Sequence, residues 1–492
     1  MILDKKETNL PIESEQRYPF HDHRVNLFQK KTIARKRLLL LDIGRSKDCY
    51  FIIMSGESSE RRLRRLLVIA YYFPPRGGGG VQRIAKFVRY LPEFGWMPTV
   101  LTVATSYYGS RNLDLSHVND FPDGVEIIRT PRVDPVVQTS RLPNMKDRIK
   151  PHLASLFAPM SWLGQHRITS DRFHPKGAMR WCFRAVTAGL RTHRRRRVDL
   201  ILATGEPYSD FLVAWMLSRL TGVPFVLDMR DPWTLDPYEK EPSSRLGQLV
   251  QRWEERLMLS ACKACIFANR SIDTYTNTFP SWKQKFHYIP NGYDSADLDG
   301  VEAKRFDKFT VVHNGTFIRD YRTADTFLLA LRDLLSGRPE LRQRIQVLLV
   351  GTSGPEKKLV QTLLLDDVVQ QLGYLPHRRS IEYVKGADLL LLIGGSHRWE
   401  ETGKIYEYLA AGKPILALLQ LDGAAAELLR RHSTARIVDR ENVLEAAAAL
   451  SDAIANGSLN HPTANSERVT ITTQWERRHL TEKLALILDT CL

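Results

Sequence analysis

The run at residues 66–80, LLVIAYYFPPRGGGG, constrains the fold more than any other stretch of the chain. Residues 66–70 are continuously apolar, as in a parallel strand covered on both faces. Pro74 and Pro75 end the run, and Gly77, Gly78, Gly79 and Gly80 permit positive φ and close approach of a ligand to bare backbone. Val81, Ile84, Val88 and Leu91 then recur at helical spacing, so the glycines open a helix whose free N–H groups attract an anion. Strand, bare turn and helix in that order predict a parallel α/β unit with a phosphate or sugar contact at the turn. A turn that merely packs closely on its helix is the competing reading. The spacing is not G-x-G-x-x-G, and no Gly-Lys-Ser/Thr follows to make a P-loop.

The same alternation continues along the chain. Apolar runs at 99–104, 125–128, 200–203, 225–228 and 264–268 are followed by a second series at 309–313, 345–350, 388–393, 415–418 and 436–438. Helical patterns in the second series begin near Thr323, Arg378, Gly403 and Glu441. Two such series, joined near 289–308, predict an α/β chain of two Rossmann-like doubly wound domains facing across a cleft. Ligands of such sheets collect at the carboxyl ends of the strands, so the cleft is the expected site. The boundaries expected are 63–295 for the first domain and 305–470 for the second. Residues 471–492 hold a final amphipathic helix marked by Trp475, Leu480, Leu484 and Leu488. Residues 1–62 show no sustained periodicity and read as an extension outside the fold, with Met54 as a plausible natural start.

A chain of 492 residues with 43% hydrophobic content is too long for one core. No run reaches the about 18 apolar residues of a membrane span, since residues 38–54 are broken by Asp42, Arg45, Lys47 and Asp48. Without a signal-peptide pattern, and with five cysteines in no framework spacing, the sequence reads as cytoplasmic. The formal net charge of +16 favours an anionic partner. Much of it lies in 141–197, with Arg191, Arg194, Arg195, Arg196 and Arg197 near its end and Phe157, Met160, Trp162, Leu163 and Phe173 interleaved. That mixture fits a peripheral contact with an anionic membrane surface or an acidic acceptor, or else a solvated helix end. No nucleic-acid motif accompanies the charge, so no nucleic-acid partner is expected.

The segment 402–418, TGKIYEYLAAGKPILAL, is the second strong signal. Lys404 and Glu407 share a helix face, and Gly412 and Pro414 end that helix before a strand. A carboxylate there can accept two ribose hydroxyls, and the lysine offers charge to a diphosphate. A surface ion pair of little worth is the alternative. Cys262 and Cys265 form a single C-x-x-C and read as buried core thiols. Asp297 and Asp299 read as a solvated turn, and His313 as either a cleft residue or a core histidine.

Taken together, YYFPP-x-GGGG-x-x-R-x-x-K-F, LDMRDPW at 227–233, IPNGYD at 289–294 and GK-I-YEYLAAGKP resemble the retaining glycosyltransferases of the GT-B fold. The similarity is greatest to the large bacterial family 4 group acting in cell-surface polysaccharide synthesis, and it covers residues 64–490. The resemblance implies a nucleotide-sugar donor held by the second domain, a glycan or lipid-linked acceptor held by the first, and a last helix that crosses back to the first domain. It implies transfer with retention and without a cofactor or bound metal. Glu407 matches the ribose-binding second Glu of the family's Glu, seven residues, Glu motif, with Gly315, Gly403 and Ile405 as further donor-side positions. The first Glu would fall at 399, where this chain has Trp399, with Glu400 and Glu401 adjacent and out of register. Arg319 and Arg322, with Lys404 behind them, fall where the family places cations that neutralise the leaving diphosphate. Arg230 and Asp231 stand where relatives carry a His-Asp pair, and Glu206 ends the preceding strand on the same acceptor-side wall. A nucleotide-sugar epimerase or hydrolase on this fold, or a silent nucleotide-sugar-binding scaffold, are the alternatives that fold alone does not separate.

Overall fold

A computed structural model of the protein describes residues 63–108, 113–131, 178–235, 245–318, 321–351, 356–456 and 473–492. The expected extension at 1–62 and most of the basic segment, 141–177, lie outside the described residues.

The first sheet comprises β1 (Arg64–Ile69), β2 (Trp96–Val103), β3 (Glu126–Thr130), β4 (Leu200–Gly205), β5 (Phe225–Met229), β6 (Ala264–Phe267) and β7 (Phe286–Tyr288). Its order is β3-β2-β1-β4-β5-β6-β7, and every pairing is parallel. The second sheet comprises β8 (Phe309–Asn314), β9 (Ile345–Val350), β10 (Val369–Gly373), β11 (Leu389–Ile393), β12 (Ile415–Leu419) and β13 (Ala435–Asp439). Its order is β10-β9-β8-β11-β12-β13, again all parallel. In both sheets the order reverses beside the first strand, which opens a crevice at the strand ends.

The continuous apolar run of β1 has a direct cause in this topology. Leu66 and Val68 face a core shared with Ile84, Phe87 and Val88, while Leu67 and Ile69 face the opposite core with Leu101, Trp181 and Phe211. Each full burial of such a side chain contributes roughly 1.5–3 kcal/mol, so neither face tolerates a polar residue. The first face is covered by α1 (Gly79–Tyr90) and the second in part by α2 (Ala178–Arg195). Arg194, Arg195, Arg196 and Arg197 are exposed at the end of α2, where cations favour the helix dipole. Cys262 and Cys265 are buried free thiols of the first core, with burial pushing the Cys262 thiol up to about 12.

The segments that carry the resemblance lock together below the cleft. Arg83 of α1 is fully buried and forks onto Asp228 at the end of β5, at 2.9 and 3.0 Å. Its other nitrogen donates to the Pro290 carbonyl at 2.8 Å. Lys86 pairs with Asp294 at 2.7 Å, and the Tyr90 hydroxyl donates to the same carboxylate at 2.9 Å. Asp294 in turn caps α3 (Ser295–Leu298) in the interdomain connection. Asp297 does not stand in a solvated turn as its sequence context suggested. It is ion-paired with Lys86 and its side chain is only 14% exposed, whereas Asp299 is exposed.

The last helix, α4 (Arg477–Thr490), returns to the first sheet, where Leu480, Leu484 and Leu488 join the core that contains Leu66 and Val68. The chain therefore crosses between the sheets twice, and the two crossings touch. Tyr293 N–H donates to the Trp475 carbonyl at 3.1 Å, and Arg477 N–H to the Tyr293 carbonyl at 2.8 Å. A Cβ on Gly292 would lie 2.0 Å from the Trp475 oxygen, so the contact requires glycine there.

Candidate active site

Between the carboxyl ends of the two sheets lies a cavity of about 350 Å³. Its first-domain wall includes Gly78, Gly79, Gly80, Arg230 and Asp231, and its second-domain wall includes His313, Gly315, Arg322, Gly403, Lys404 and Glu407. Residues distant in sequence meet here because each follows a strand at the same end of its sheet.

Glu407 lies in the first turn of α5 (Lys404–Ala411) and is 8% exposed. It accepts from Lys404 Nζ at 2.8 Å and from His377 Nε2 at 3.2 Å. Burial alone would raise its pKa, but Lys404 and His377 hold it well below the usual carboxylate range. The carboxylate is thus an ionised acceptor at the cavity wall. His377 begins α6 (His377–Gly386), and its backbone N–H is capped at 2.9 Å by Asp114 of the first domain.

Arg322 is paired through Nη2 with Glu400, which also accepts from the Tyr321 hydroxyl at 2.7 Å and from the Gly395 N–H at 2.9 Å. Glu401 takes the hydroxyls of Tyr288 and Tyr406. Burial raises the Glu401 pKa, with the two tyrosines opposing. His313 is buried at the end of β8, where Nδ1 donates to the Leu391 carbonyl at 2.9 Å and Nε2 has no hydrogen-bond partner. Burial pushes it down to about 4, so at neutral pH the imidazole is uncharged.

On the opposite wall Gly78 is the one glycine of its loop with positive φ, at 119°, and it precedes the first turn of α1. Gly80 serves a different need. A Cβ there would stand 1.3 Å from Arg230 Nη1, so the guanidinium occupies the space a side chain would take. Arg230 donates from Nε to the Gly205 carbonyl and from Nη2 to the Glu206 carbonyl. Tyr208 donates to the Asp231 carbonyl at 2.9 Å, which ties the ends of β4 and β5 together.

Comparison with known proteins gives this geometry a family. Residues 78–292 match the glycosyl transferase 4-like domain, and residues 298–469 match the glycosyl transferases group 1. The fold is similar to that of sucrose-phosphate synthase from Thermosynechococcus elongatus, with TM-score 0.60 and 16% identity over 87% of this chain and 98% of that one. It is similar also to HepE of Anabaena, solved with UDP, with TM-score 0.55 and 15% identity over 87% of this chain and 100% of that one. A glycosyltransferase from Rickettsia africae aligns at TM-score 0.53 and 13% identity, over 87% of this chain and 98% of that one. No curated protein matches in sequence. The chain belongs to the family 4-like glycosyltransferases of the GT-B fold.

In this glycosyltransferase the structure gathers Glu407, Lys404, Gly403, Gly315, Arg322, Arg230, Asp231, Gly78, Gly79 and Gly80 around one cavity. It does not bring every expected residue there. The Ile405 side chain is fully buried in the second-domain core with Val312 and Tyr408, because the helix face opposite Lys404 must pack on the sheet. Gly77 and Glu206 are not among the residues lining the cavity, and the Glu206 carbonyl accepts from Arg230. Arg319 lies outside the described residues. Glu400 and Glu401, out of register in the sequence, both line the cavity. Residues before 404 are not helical, so counting back from Glu407 does not fix which carboxylate faces inward.

Among the lining residues that no sequence signal singled out, His377 and Arg477 bear on the charge of the site. His377 stands at an ordinary strand-to-helix junction. Arg477 is 5% exposed and reaches the cavity from the last helix, with burial lowering its pKa to about 10. Only the adjacency of Trp475 in a helical pattern marked its position.

Proposed function

We propose that this glycosyltransferase moves a hexose or amino-hexose, with retention of anomeric configuration, from a nucleotide-sugar donor to a cell-envelope or exopolysaccharide acceptor. The observation that carries the reading is the Glu407 carboxylate, kept ionised at the cavity wall by Lys404 and His377. Such a group accepts both hydroxyls of a ribose. Arg322 and Lys404 stand on the same wall and supply positive charge as the diphosphate leaves, so the reaction does not call on a metal. Structures of HepE hold UDP and UDP-glucose, which supports a nucleotide-sugar donor on this fold.

The acceptor enters from the first-domain wall, past the Gly78 to Gly80 turn, Arg230 and Asp231. The exposed arginines ending α2 and the net charge of +16 support work at the anionic inner face of a membrane. Among the described residues no helix is long and apolar enough to cross one. Sedimentation with vesicles should then rise with anionic lipid content and fall with salt.

The test is transfer from radiolabelled nucleotide sugars to a membrane-extract acceptor, with calorimetric nucleotide binding alongside. Glu407→Gln should keep the volume and lose about ten- to hundredfold in nucleotide affinity. Parental affinity in that variant would remove the ribose assignment. Donor turnover without any acceptor would favour the epimerase or hydrolase reading, and nucleotide binding with no turnover the silent scaffold.

A further inference from the structure

We propose that His117, Asp297 and His377 form a divalent-cation site, of the kind that takes zinc, which fastens the two domains beside the cavity without entering the transfer chemistry. The three residues come from three segments: the loop after β2, the interdomain helix α3 and the first residue of α6. One ligand atom from each lies within 4.8 Å of the other two. His377 Nδ1 is already 3.7 Å from Asp297 Oδ2. Donors held about 2.1 Å from a tetrahedral ion stand about 3.4 Å apart, so closing the set needs only small shifts.

The hydrogen bonds outside the trio fix what faces inward. Asp120 takes His117 Nδ1 at 2.9 Å, and Glu407 takes His377 Nε2 at 3.2 Å. With each outer nitrogen donating its proton to a carboxylate, His117 Nε2 and His377 Nδ1 are left as lone pairs. A carboxylate behind each imidazole is the arrangement that orients and strengthens histidine ligands to metals. His117 is 7% exposed, and its Nε2 has no hydrogen-bond partner. Lys86 holds Asp297 through Oδ1 and leaves Oδ2 on the His377 side. Two lone pairs and a carboxylate oxygen that converge with no donor among them call for a cation. Asp297 and His377, though not His117, also line a further cavity of about 10 Å³, enough for about one water on their side of the trio. Two imidazoles and one carboxylate suit zinc, or cobalt as its spectroscopic substitute.

The test uses untagged, chelator-stripped full-length protein at pH 7.5, without donor or acceptor, so its outcome is independent of the donor reading. Zinc chloride should bind with one-to-one stoichiometry and raise the melting temperature by a few degrees at saturation. Cobalt chloride should give a visible absorption spectrum that saturates at one equivalent. His117→Gln and Asp297→Asn should each weaken binding at least tenfold and remove the spectrum. Absence of a saturable equivalent in the parent, meaning that a proton alone satisfies the trio, overturns the site. Equal zinc binding by parent and either folded variant overturns it too. If His117→Gln does not fold, the cobalt titration of the parent decides by itself.

Discussion

Arg322, which the sequence offers as a cation for the leaving diphosphate, is bound in the structure to Glu400, the carboxylate that the family spacing passes over. The guanidinium is therefore restrained by a partner on its own wall of the cavity. Arg322 remains the proposed diphosphate ligand, with Glu400 fixing its direction.

Glu400→Gln is expected to keep the hydrogen bonds from Tyr321 and Gly395 while removing the charge that restrains Arg322. Affinity for nucleoside diphosphate should rise by a few fold, and turnover should fall because the guanidinium is less well placed. Arg322→Ala should instead cost about ten- to hundredfold in diphosphate affinity with little change for the free nucleoside. Calorimetry with the two ligands separates these outcomes, and equal losses for both would remove Arg322 from the diphosphate.

Arg83→Met should destabilise the protein by about 3–5 kcal/mol, because it strands Asp228 in a fully buried site where, among the described residues, Thr204 is the side chain left to donate. Adding Asp228→Leu should recover a large part of that loss. Urea unfolding of the single and double variants measures the coupling, and additive losses would show that the pair does not act as a unit.

His313 gives the stability a pH dependence of definite sign. Its folded pKa of about 4 lies below the unfolded value of ~6.5, so the unfolded chain binds the proton more readily. The penalty is absent above about pH 6.5, grows as pH falls, and levels off below about 4 at roughly 3 kcal/mol. His313→Asn should flatten melting temperature against pH across that window relative to the parent. Parallel curves would show that His313 is not the group responsible.

Gly80→Ala asks for little from the backbone, since Gly80 does not have positive φ, but it displaces the Arg230 guanidinium. Stability should change by less than about 1 kcal/mol, because the obstructing atoms end a flexible side chain. Turnover should fall with the acceptor KM affected more than the donor KM, as for Arg230→Ala. A change confined to the donor KM would move Arg230 to the other substrate.

The strand-and-helix alternation was legible because buried parallel strands are apolar on both faces, as Leu66 to Ile69 illustrate. The strands not anticipated, β7 and β10, are edge strands, and β10 carries Gln370 and Gln371, so neither forms an apolar run. In the site, Lys404 and Glu407 could be paired from helical spacing alone. Glu400 could not, because it lies on an irregular loop, and His377 acquires its meaning only when β10 and α5 bring it to Glu407. Arg83 and Lys86 were legible as parts of a motif, but their partners lie more than a hundred residues away, where no local pattern reaches.

The paired crossings at Tyr293 and Trp475 have a mechanical consequence. Two chain segments joined by hydrogen bonds, with Gly292 letting them touch, behave as a single ribbon instead of two separate cords. A ribbon bends easily about one axis and resists shear and torsion about the others. A swing of one domain against the other would turn about that ribbon, with Glu407 and the Gly80 turn carried on the two walls of one cavity.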